Sequence, residues 1–335
     1  EAARDDAIRE PGDGAAQGRS AGVSGIGPVW LNGRLLPASE ATLPFLTPAL
    51  HYGVAVFEGI RAYATPRGPA IFRLGDHMRR LIESAHILGF RELPYTADEL
   101  SDAARATVAA SGLEACYIRP LIYLAEGGWN LTVDSGRPHV GIAVWRWNAY
   151  LGEDALHEGV RANISSFTRL HPNASMTKAK IAGNYVNSVL AKTESVRLGF
   201  EETIMLDPQG YVAECSGENL FVVRQGELVT PPPGAVLEGL TRDTVIQLAG
   251  DLGFDITEQT ISRDALYTAD EVFVTGTAAE VIGLREIDFR TIGAGRTGPI
   301  TRALQDAYRS LVAGDHPRSS EWLDYVAPAQ ESTIG

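Results

Sequence analysis

Hydrophobic and polar positions along this chain follow two periods, and the period changes from one segment to the next. Stretches rich in β-branched and aromatic residues predict strands, whereas apolar residues three and four positions apart predict helices. In the first half the predicted strands are residues 28–36 (a hairpin that turns at Asn32-Gly33), 51–63, 70–73, 116–125 and 139–147. This order favours an antiparallel sheet in an α+β arrangement.

Two helices are predicted between the third and the fourth of these strand segments. Asp76 is the expected N-cap of the first helix, whose apolar face extends to Leu88. The second helix begins at the capping-box pair Thr96 and Glu99 and ends at Gly112. These boundaries rest on short-range signals alone.

In the second half, strands and helices alternate, as in an α/β arrangement. The predicted strands are 162–167, 202–207, 211–215, 220–223, 227–229, a segment around Ile256, and 271–275. The predicted helices are 184–198, one capped by Thr241, and a short one after Ser262. The fold class is therefore α+β in the first half and closer to α/β in the second.

The same patterns divide the chain into domains. Residues 1–27 are rich in Gly, Ala, Asp and Arg and contain no aromatic residue, which is typical of a disordered arm. Residues 28–147 are expected to form a small α+β domain, 148–159 an interdomain linker, and 160–335 a large domain. A chain of 335 residues is long enough for two such domains.

Composition and charge narrow the class of protein. Hydrophobic residues make up 44% and charged residues 21% of the chain, as in ordinary globular proteins. No apolar run approaches the roughly 18 residues that span a bilayer, and no signal peptide is recognisable, so a cytoplasmic protein without a membrane partner is predicted. A net charge of −13 argues against a nucleic-acid partner. Cys116 and Cys215 lie in apolar stretches outside any CxxC or Cys/His cluster, which predicts buried free thiols and no metal site.

Lysine is the residue that directs attention to chemistry. The chain has 29 basic residues, yet lysine occurs only at Lys178, Lys180 and Lys192. Arginine cannot be deprotonated in a protein, whereas a desolvated lysine can attack a carbonyl. Lys178 and Lys192 fit solvated surface charges. We therefore predict that Lys180, close to the Gly-Asn-Tyr segment that ends at Tyr185, is a Schiff-base lysine.

A glycine-rich segment offers an alternative from a different class of enzyme. Residues 293–298 match the G-x-G-x-x-G pattern of dinucleotide-binding proteins and precede a predicted helix. A functional copy of that pattern opens a βαβ unit with an acidic residue about 20 positions further on. The chain ends without such a unit, so the segment is interpreted as a turn and a nicotinamide oxidoreductase is disfavoured.

Glu214 stands at the end of a predicted strand and offers a partner for Lys180 chemistry. A carboxylate that faces a pyridine nitrogen holds it protonated and makes the ring a better electron sink. Glu214 also opens a gapped run that continues with Asn-Leu-Phe at 219–221, Leu-Val-Thr at 228–230 and Leu-Glu-Gly-Leu-Thr-Arg at 237–242. With Lys180-x-x-Gly-Asn-Tyr, this run resembles the signature of the class IV aminotransferases, which use pyridoxal 5'-phosphate (PLP fold type IV), and most closely the branched-chain amino-acid aminotransferases.

The resemblance extends from about Trp30 to Gly314 and implies a two-domain fold like that of D-amino-acid aminotransferase, with the cofactor site between the domains. It implies transfer of an amino group between leucine, isoleucine or valine and 2-oxoglutarate in two half-reactions, as in branched-chain amino-acid biosynthesis. Lys180 would form the Schiff base and shuttle the proton. The residues that the resemblance assigns to the cofactor are Lys180, Tyr185 at the phenolic oxygen, Glu214 at the ring nitrogen, and Arg80, Leu240, Thr241 and Thr277 at the phosphate.

The resemblance also implies a substrate pocket and a homodimer or higher homo-oligomer. Its expected members are Phe57, Gly59 and Trp147 as apolar lining, Tyr117 with Thr277 and Ala278 at the α-carboxylate, and Arg119 with Tyr52 and Tyr150 at the second carboxylate of glutamate. The Tyr117-x-Arg119 pair favours this specificity over the alternatives, a D-amino-acid or (R)-amine transaminase or an aminodeoxychorismate lyase. The segment 126–131 is shorter than the corresponding loop of many branched-chain enzymes, which bears on the substrate range.

Overall fold

The computed structural model describes residues 25–134, 136–147, 154–234 and 236–327. Within these ranges the strands are β1 Ile26–Leu31, β2 Arg34–Leu36, β3 Ala55–Phe57, β4 Ile60–Thr65, β5 Gly68–Phe72, β6 Cys116–Glu126, β7 Arg137–Trp145, β8 Val160–Ile164, β9 Glu202–Leu206, β10 Val212–Cys215, β11 Asn219–Arg224, β12 Glu227–Thr230, β13 Ile256–Glu258, β14 Glu271–Gly276, β15 Glu280–Ile287, β16 Arg290–Thr291 and β17 Leu323–Tyr325. The α-helices are α1 Pro48–Tyr52, α2 Leu74–Leu88, α3 Ala97–Ser111, α4 Ala155–Glu158, α5 Tyr185–Arg197, α6 Leu240–Asp251, α7 Arg263–Tyr267, α8 Pro299–Ala313 and α9 Ser319–Trp322.

The strands form two sheets, one for each half of the chain. The first sheet has the order β17-β5-β4-β6-β7-β1-β2, with β3 paired to β6, and its strand pairs are all antiparallel in the described residues. The second has the order β10-β9-β8-β15-β14-β11-β12-β13, with β16 paired to β15. In it, β8 runs parallel to both of its neighbours. The expected α+β first half and mixed second half are confirmed.

The hydrophobic core joins these two halves. Helices α2 and α3 pack on the first sheet, with Met78, Leu81 and Leu100 fully buried. A second cluster fills the space between β5 of the first sheet and the second sheet, where the rings of Phe221 and Phe273 stack at 4.9 Å. Because a shared core covers the contact between the halves, side chains from both can be held in one site.

Short-range signals place several boundaries correctly. Asn32 and Gly33 form the β1–β2 turn with positive φ angles of 46° and 87°. The capping box at the start of α3 is present, with Thr96 Oγ1 accepting from the Glu99 N–H and the Glu99 carboxylate accepting from the Thr96 N–H. Gly112 ends this helix in the left-handed region, where a glycine has no steric penalty. Each of these signals acts within a few residues.

Two predicted helix caps are wrong. Helix α2 begins at Leu74 after Arg73, and Asp76 lies in its first turn, where it pairs with the Arg73 guanidinium at 2.7 Å. Helix α6 begins at Leu240 after Gly239, so Thr241 is inside the helix. In both cases long-range contacts place the helix start earlier than the local sequence suggests; Arg73, for example, also binds the carbonyl of Leu240 at 3.1 Å.

The chain ends and the linker differ in part from the prediction. Ile26 and Gly27, which the composition assigned to a disordered arm, begin β1. Residues 148–153 of the predicted linker lie outside the described residues, and Ala155–Glu158 forms a short helix. Near the other end, Leu323–Tyr325 returns to the first sheet and pairs with β5. The domain boundaries stay a prediction.

Both cysteines are buried free thiols, as predicted. Burial raises the pKa of the Cys116 thiol to about 12 and the pKa of the Cys215 thiol well above its usual value, so neither is a reactive thiolate. In the part of the chain that the structure describes, no helix combines the length and the apolar character needed to cross a bilayer.

Candidate active site

A cavity at the junction of the two halves collects every residue that the sequence assigned to the cofactor. Arg80 reaches it from α2 of the first half, and the other members come from the second half. The predicted residues that line it are Arg80, Lys180, Tyr185, Glu214, Leu240, Thr241 and Thr277. The two halves of the fold therefore build one polar cavity together.

Lys180 lies in the loop before α5 and is held from both sides by the first half of the chain. Its N–H donates to Ser84 Oγ at 3.0 Å, and its carbonyl accepts from the Phe57 N–H at 3.1 Å. The residues on either side of Lys180 are buried in the core of the first sheet. Because the backbone is anchored, the side-chain torsions alone position the amine, and Nζ donates to Tyr185 Oη at 2.6 Å.

Glu214 is buried at the end of β10 and is held by three donors. Its Oε1 accepts from Arg169 Nε at 2.6 Å, while Oε2 accepts from the Leu237 N–H at 3.1 Å and from Asn219 Nδ2 at 3.3 Å. Burial raises the pKa of Glu214, and the Arg169 guanidinium opposes that rise. The sequence pattern did not single out Arg169, because nothing local distinguishes it from the other arginines.

Arg80 is fixed by a buried carboxylate that the sequence analysis missed. Glu58 is fully buried and accepts from Arg80 Nε at 2.6 Å, from Arg80 Nη2 at 2.8 Å and from His77 Nδ1 at 2.7 Å. Burial alone would raise the pKa of Glu58, but Arg80 and His77 outweigh it and hold the pKa well below its usual range. An acidic residue inside an apolar strand segment is the signal that could have found it.

The start of α6 supplies backbone donors to the same cavity. Gly239 occupies the N-cap position and has no side chain that could accept from the first amides of the helix. A Cβ atom at this position would lie 2.0 Å from Asn219 Oδ1, so the site requires glycine. The amides of Leu240 and Thr241 are thereby available to an anion, which the helix dipole also favours. With Arg80 nearby, this end of the cavity suits a phosphate group.

A second group of buried acids lies beside this cavity. Glu218 lines it, and burial together with the nearby carboxylate of Glu202 raises the pKa of Glu218 to about 8. Glu202 is itself fully buried, accepts from Ser216 Oγ at 2.7 Å, and is paired with the Lys192 ammonium. The prediction that Lys192 is a solvated surface charge is therefore wrong. Lys178, in contrast, is 62% exposed and pairs with a surface carboxylate.

Five of the predicted substrate residues cluster next to Lys180. The Phe57 ring contacts the Tyr185 ring at a centroid distance of 4.8 Å and lies 5.1 Å from Lys180 Nζ. The Tyr117 ring packs against Trp147 at 4.6 Å. A Cβ atom at Gly59 would lie 2.0 Å from Tyr117 Oη, so glycine is required for the ring to occupy this place. These contacts form a continuous aromatic wall.

Arg119 lies within this aromatic wall. Its Cζ is 4.7 Å from the Phe57 centroid, 5.4 Å from that of Tyr117 and 5.8 Å from that of Trp145. Among the described residues, the buried Nε of Arg119 has no hydrogen-bond partner. Ring faces stabilise a guanidinium without using its N–H donors. The cation is thus held in position and keeps donors free for a ligand.

The remaining predicted substrate residues lie elsewhere. Ala278 follows Thr277 in the turn between β14 and β15. Tyr52 ends α1 with 45% of its surface exposed, and its ring packs against Trp129 at 5.7 Å. Tyr150 lies outside the described residues. The structure thus brings together the residues around Arg119 but gives Tyr52 a position on the surface.

The glycine-rich segment at 293–298 is a turn before α8, as interpreted from the sequence. The first amides of α8 are occupied by Glu271, whose carboxylate accepts from the Ile300 N–H at 2.9 Å and the Thr301 N–H at 2.8 Å. Thr301 Oγ1 adds a third donor at 2.6 Å. A buried carboxylate therefore occupies the position that a dinucleotide pyrophosphate requires at a helix N-terminus.

The family model for class IV aminotransferases ("Amino-transferase class IV") matches residues 55–287, which include the cavity and most of the aromatic wall. The chain belongs to the class IV aminotransferases. Within that class it is similar to branched-chain-amino-acid aminotransferases, and the relative from Pseudomonas aeruginosa is 50% identical over 300 residues, covering 90% of this chain and 97% of the relative.

Solved structures lead to the same group. The crystal structure of the Escherichia coli branched-chain amino acid aminotransferase has a TM-score of 0.87 and 43% identity, covering 90% of this chain and 99% of that one. The branched-chain aminotransferase of the archaeon Thermoproteus uzoniensis, solved with norvaline, has a TM-score of 0.86 and 44% identity, with coverage of 90% and 100%. Other similar branched-chain enzymes have been solved with pyridoxamine 5'-phosphate, with N-(5'-phosphopyridoxyl)-L-glutamate and with 4-methylvaleric acid.

Proposed function

We propose that this protein is a pyridoxal-phosphate transaminase that moves an amino group between leucine, isoleucine or valine and 2-oxoglutarate. The observation that carries the proposal is the position of Lys180 Nζ. It shares one cavity with the Glu214 carboxylate and the α6 N-terminus, and it lies 5.1 Å from the Phe57 ring of the aromatic wall around Arg119. A reactive amine, a cofactor cavity and a substrate wall are thus adjacent.

The residues of the cavity fit the cofactor. When bound, pyridoxal phosphate supplies an electrophilic carbon for the amino group and a ring that delocalises the electron pair left at the substrate Cα. The proposed contacts are Lys180 at that carbon, Tyr185 at the phenolic oxygen, Glu214 at the ring nitrogen, and Arg80, Leu240, Thr241 and Thr277 at the phosphate. The fit rests on the helix amides that Gly239 leaves uncapped and on the buried Glu214 carboxylate.

Lys180 is the group that moves protons in this scheme. Its amine, neutral once released from the cofactor, takes the proton from the substrate Cα and returns it one position away. Tyr185 Oη, at 2.6 Å, accepts a hydrogen bond from the amine and keeps it directed into the cavity. Phe57 covers the amine on another side and excludes water. The anchored backbone limits the amine to a short swing, which suits transfer between two neighbouring atoms.

Substrate choice is assigned to the aromatic wall. Phe57, Gly59 and Trp147 offer an apolar surface to a branched side chain, and Arg119 offers a cation to the second carboxylate of glutamate. Tyr117 and the turn at Thr277 and Ala278 receive the α-carboxylate that all substrates share. The presence of Arg119 favours this specificity over a D-amino-acid or (R)-amine transaminase and over an aminodeoxychorismate lyase, the alternatives within the same fold.

We also assign a homodimer to the protein, because an apolar surface lies exposed beside the site. Around α1 and the loop after β6 the exposed large apolar residues are Phe45, Leu46, Leu50, Tyr52, Trp129 and Leu131. This surface adjoins the segment of Lys180, since the Gly183 N–H donates to the Gly53 carbonyl at 3.2 Å. A contiguous exposed apolar patch marks an association site. Pairing through it would bring the Tyr52 of one copy towards the site of the other.

One experiment separates these functions. The cofactor-loaded protein is reduced with borohydride and digested, and mass spectrometry locates the modified lysine; wild type should carry the label on Lys180, with Lys178→Ala as the control. Turnover is then compared for leucine with 2-oxoglutarate, for D-alanine, and for an (R)-configured arylamine. Label on Lys178, or faster turnover of either alternative donor than of leucine, would contradict the proposal.

A further inference from the structure

The turn that carries Thr277 and Ala278 is held from outside its own sheet. It connects β14 to β15, and Gly276 pairs with Glu280 across it. Glu280 has a φ of 60°, in the left-handed region that residues other than glycine rarely occupy. Such a conformation persists only where other contacts maintain it, so the contacts of the Glu280 side chain bear on how the turn is held.

Those contacts come from β4 of the first sheet. Glu280 Oε1 accepts from Arg61 Nη1 at 2.6 Å and from Tyr63 Oη at 3.0 Å. Tyr63 Oη also lies 3.4 Å from the hydroxyl of Tyr308, which is buried on α8. The Arg61 and Glu280 side chains are only 18% and 25% exposed, so the pair is shielded from solvent. Arg61 and Tyr63 thus form a two-donor clamp on the carboxylate at the end of the turn.

We propose that Glu280 is a positioning residue for substrate binding, which holds the turn at Thr277 and Ala278 in the geometry that receives the α-carboxylate of every substrate. The inference rests on the proposed function, since that function assigns the α-carboxylate to this turn. Glu280 itself touches neither substrate nor cofactor in this scheme. It acts by keeping the turn amides aimed at the ligand and by neutralising Arg61, so that the guanidinium does not compete for the same carboxylate.

The chain contains a matched control for this role. Glu286 lies on the same strand β15 and pairs with Arg161 at 2.8 Å, with the two side chains 28% and 29% exposed. The pair therefore has a similar geometry and burial, but it is remote in sequence from the turn. Replacing Glu286 by glutamine removes a comparable ion pair without disturbing the end of the turn.

The experiment compares Glu280→Gln with Glu286→Gln in the cofactor-loaded enzyme. KM is measured for leucine and for 2-oxoglutarate, together with kcat, the cofactor dissociation constant and inhibition by 4-methylvalerate. For Glu280→Gln we expect both KM values and the inhibition constant to rise by the same factor, about five- to tenfold, as for the partial loss of one hydrogen-bonded contact. The cofactor dissociation constant should stay within about twofold, and Glu286→Gln should leave all of these constants unchanged.

Each other outcome has a definite meaning. Unchanged KM values with a lower melting temperature would show that Glu280 only supports the fold, and lower KM values would show that it acts only as a negative charge near the ligand; either overturns the inference. If Glu280→Gln does not fold, Tyr63→Phe removes one donor of the clamp and should still raise both KM values about two- to fivefold. A wild-type enzyme that does not transaminate leucine would instead refute the proposed function.

Discussion

The two ends of the candidate site hold their charges in different ways. At the cofactor end, Arg80 is bound by two hydrogen bonds from its guanidinium to Glu58, and Glu214 is bound by Arg169. At the substrate end, Arg119 is surrounded by ring faces, and its Nε has no hydrogen-bond partner among the described residues. One end is therefore fixed by paired charges and the other by aromatic contacts.

This difference follows from what each end must bind. A cofactor has one structure, so its contacts can be fully preorganised by partners that hold each charged group in place. A pocket that accepts both an isobutyl group and a carboxylate needs a cation whose donors are free but whose charge is not isolated in an apolar environment. Aromatic faces meet both requirements, because they attract the guanidinium through the ring quadrupole and occupy none of its donors.

The largest effect is expected at Lys180, where the two ends meet. Lys180→Ala should reduce transamination by more than about 10³-fold, since proton transfer by a positioned group alone contributes about 10²–10⁴-fold. The visible absorption of the cofactor-bound lysine should disappear as well. Absorbance spectra and steady-state rates measure both effects. Lys178→Ala is the control, and a lethal effect of that change would show that the reactive amine had been assigned to the wrong lysine.

The next largest effect tests the paired charges at the cofactor end. Arg80→Ala should weaken cofactor affinity by about 10- to 150-fold, the equivalent of about 1.5–3 kcal/mol for a hydrogen bond to a charged group. The rate at saturating cofactor should change less, because a phosphate contact contributes uniform binding. Titration of the cofactor-free protein followed by absorbance measures the affinity.

Glu58→Gln sharpens the same test. If Glu58 acts on the cofactor through the Arg80 guanidinium, adding Glu58→Gln to Arg80→Ala should cause no further loss of affinity. Independent, additive losses in the double variant would show that Glu58 does not work through Arg80. The unfolding midpoint of each cofactor-free variant is recorded in parallel, because removing one member of a buried ion pair also destabilises the fold.

A smaller and more selective effect is expected at the substrate end. Arg119→Leu should impair the half-reaction with glutamate or 2-oxoglutarate by roughly 1.5–3 kcal/mol more than the half-reaction with leucine. Single-turnover measurements of each half-reaction separate the two. Equal losses for leucine and glutamate would mean that Arg119 binds the shared α-carboxylate or supports the fold, and the comparison between the two ends would fail.

The smallest effect compares two buried acids of the cofactor end by pH. The pKa of Glu58 is lowered by folding, so its stabilising contribution is complete above the ordinary carboxyl pKa and is lost as the pH falls. The pKa of Glu214 is raised, so its contribution is present at low pH and is lost as the pH rises through the folded-state pKa. From about pH 7 to about pH 4, the stability difference between wild type and variant should move in favour of Glu58→Gln and against Glu214→Gln.

Unfolding of the cofactor-free proteins by urea at each pH measures these differences. Wild type is the common reference, and Glu286→Gln serves as a control for loss of a partly exposed carboxylate. A parallel pH dependence for Glu58→Gln and Glu214→Gln would contradict the opposite directions of the two pKa shifts.

Much of the cofactor end was predictable because its residues stand in a specific sequence run. Lys180, Tyr185, Glu214 and Thr241 were identified from spacing and resemblance, and the structure brings them to one cavity. Their supporting partners were not predictable. Arg169 and Glu58 carry no local signal that names their partner, since Glu214 lies 45 residues from Arg169 and Arg80 lies 22 residues from Glu58.

By itself, the sequence determined the features that act over a few residues: the Asn32-Gly33 turn, the capping box at Thr96 and Glu99, and the singular placement of a lysine at position 180. The tertiary structure decided which charges meet. It put the start of α2 at Leu74, closed α8 with the Glu271 carboxylate, and clamped Glu280 from a strand 219 positions away. The physical reason is that capping and turn formation depend on neighbours along the chain, whereas the pairing of buried charges depends on which surfaces the packed core brings into contact.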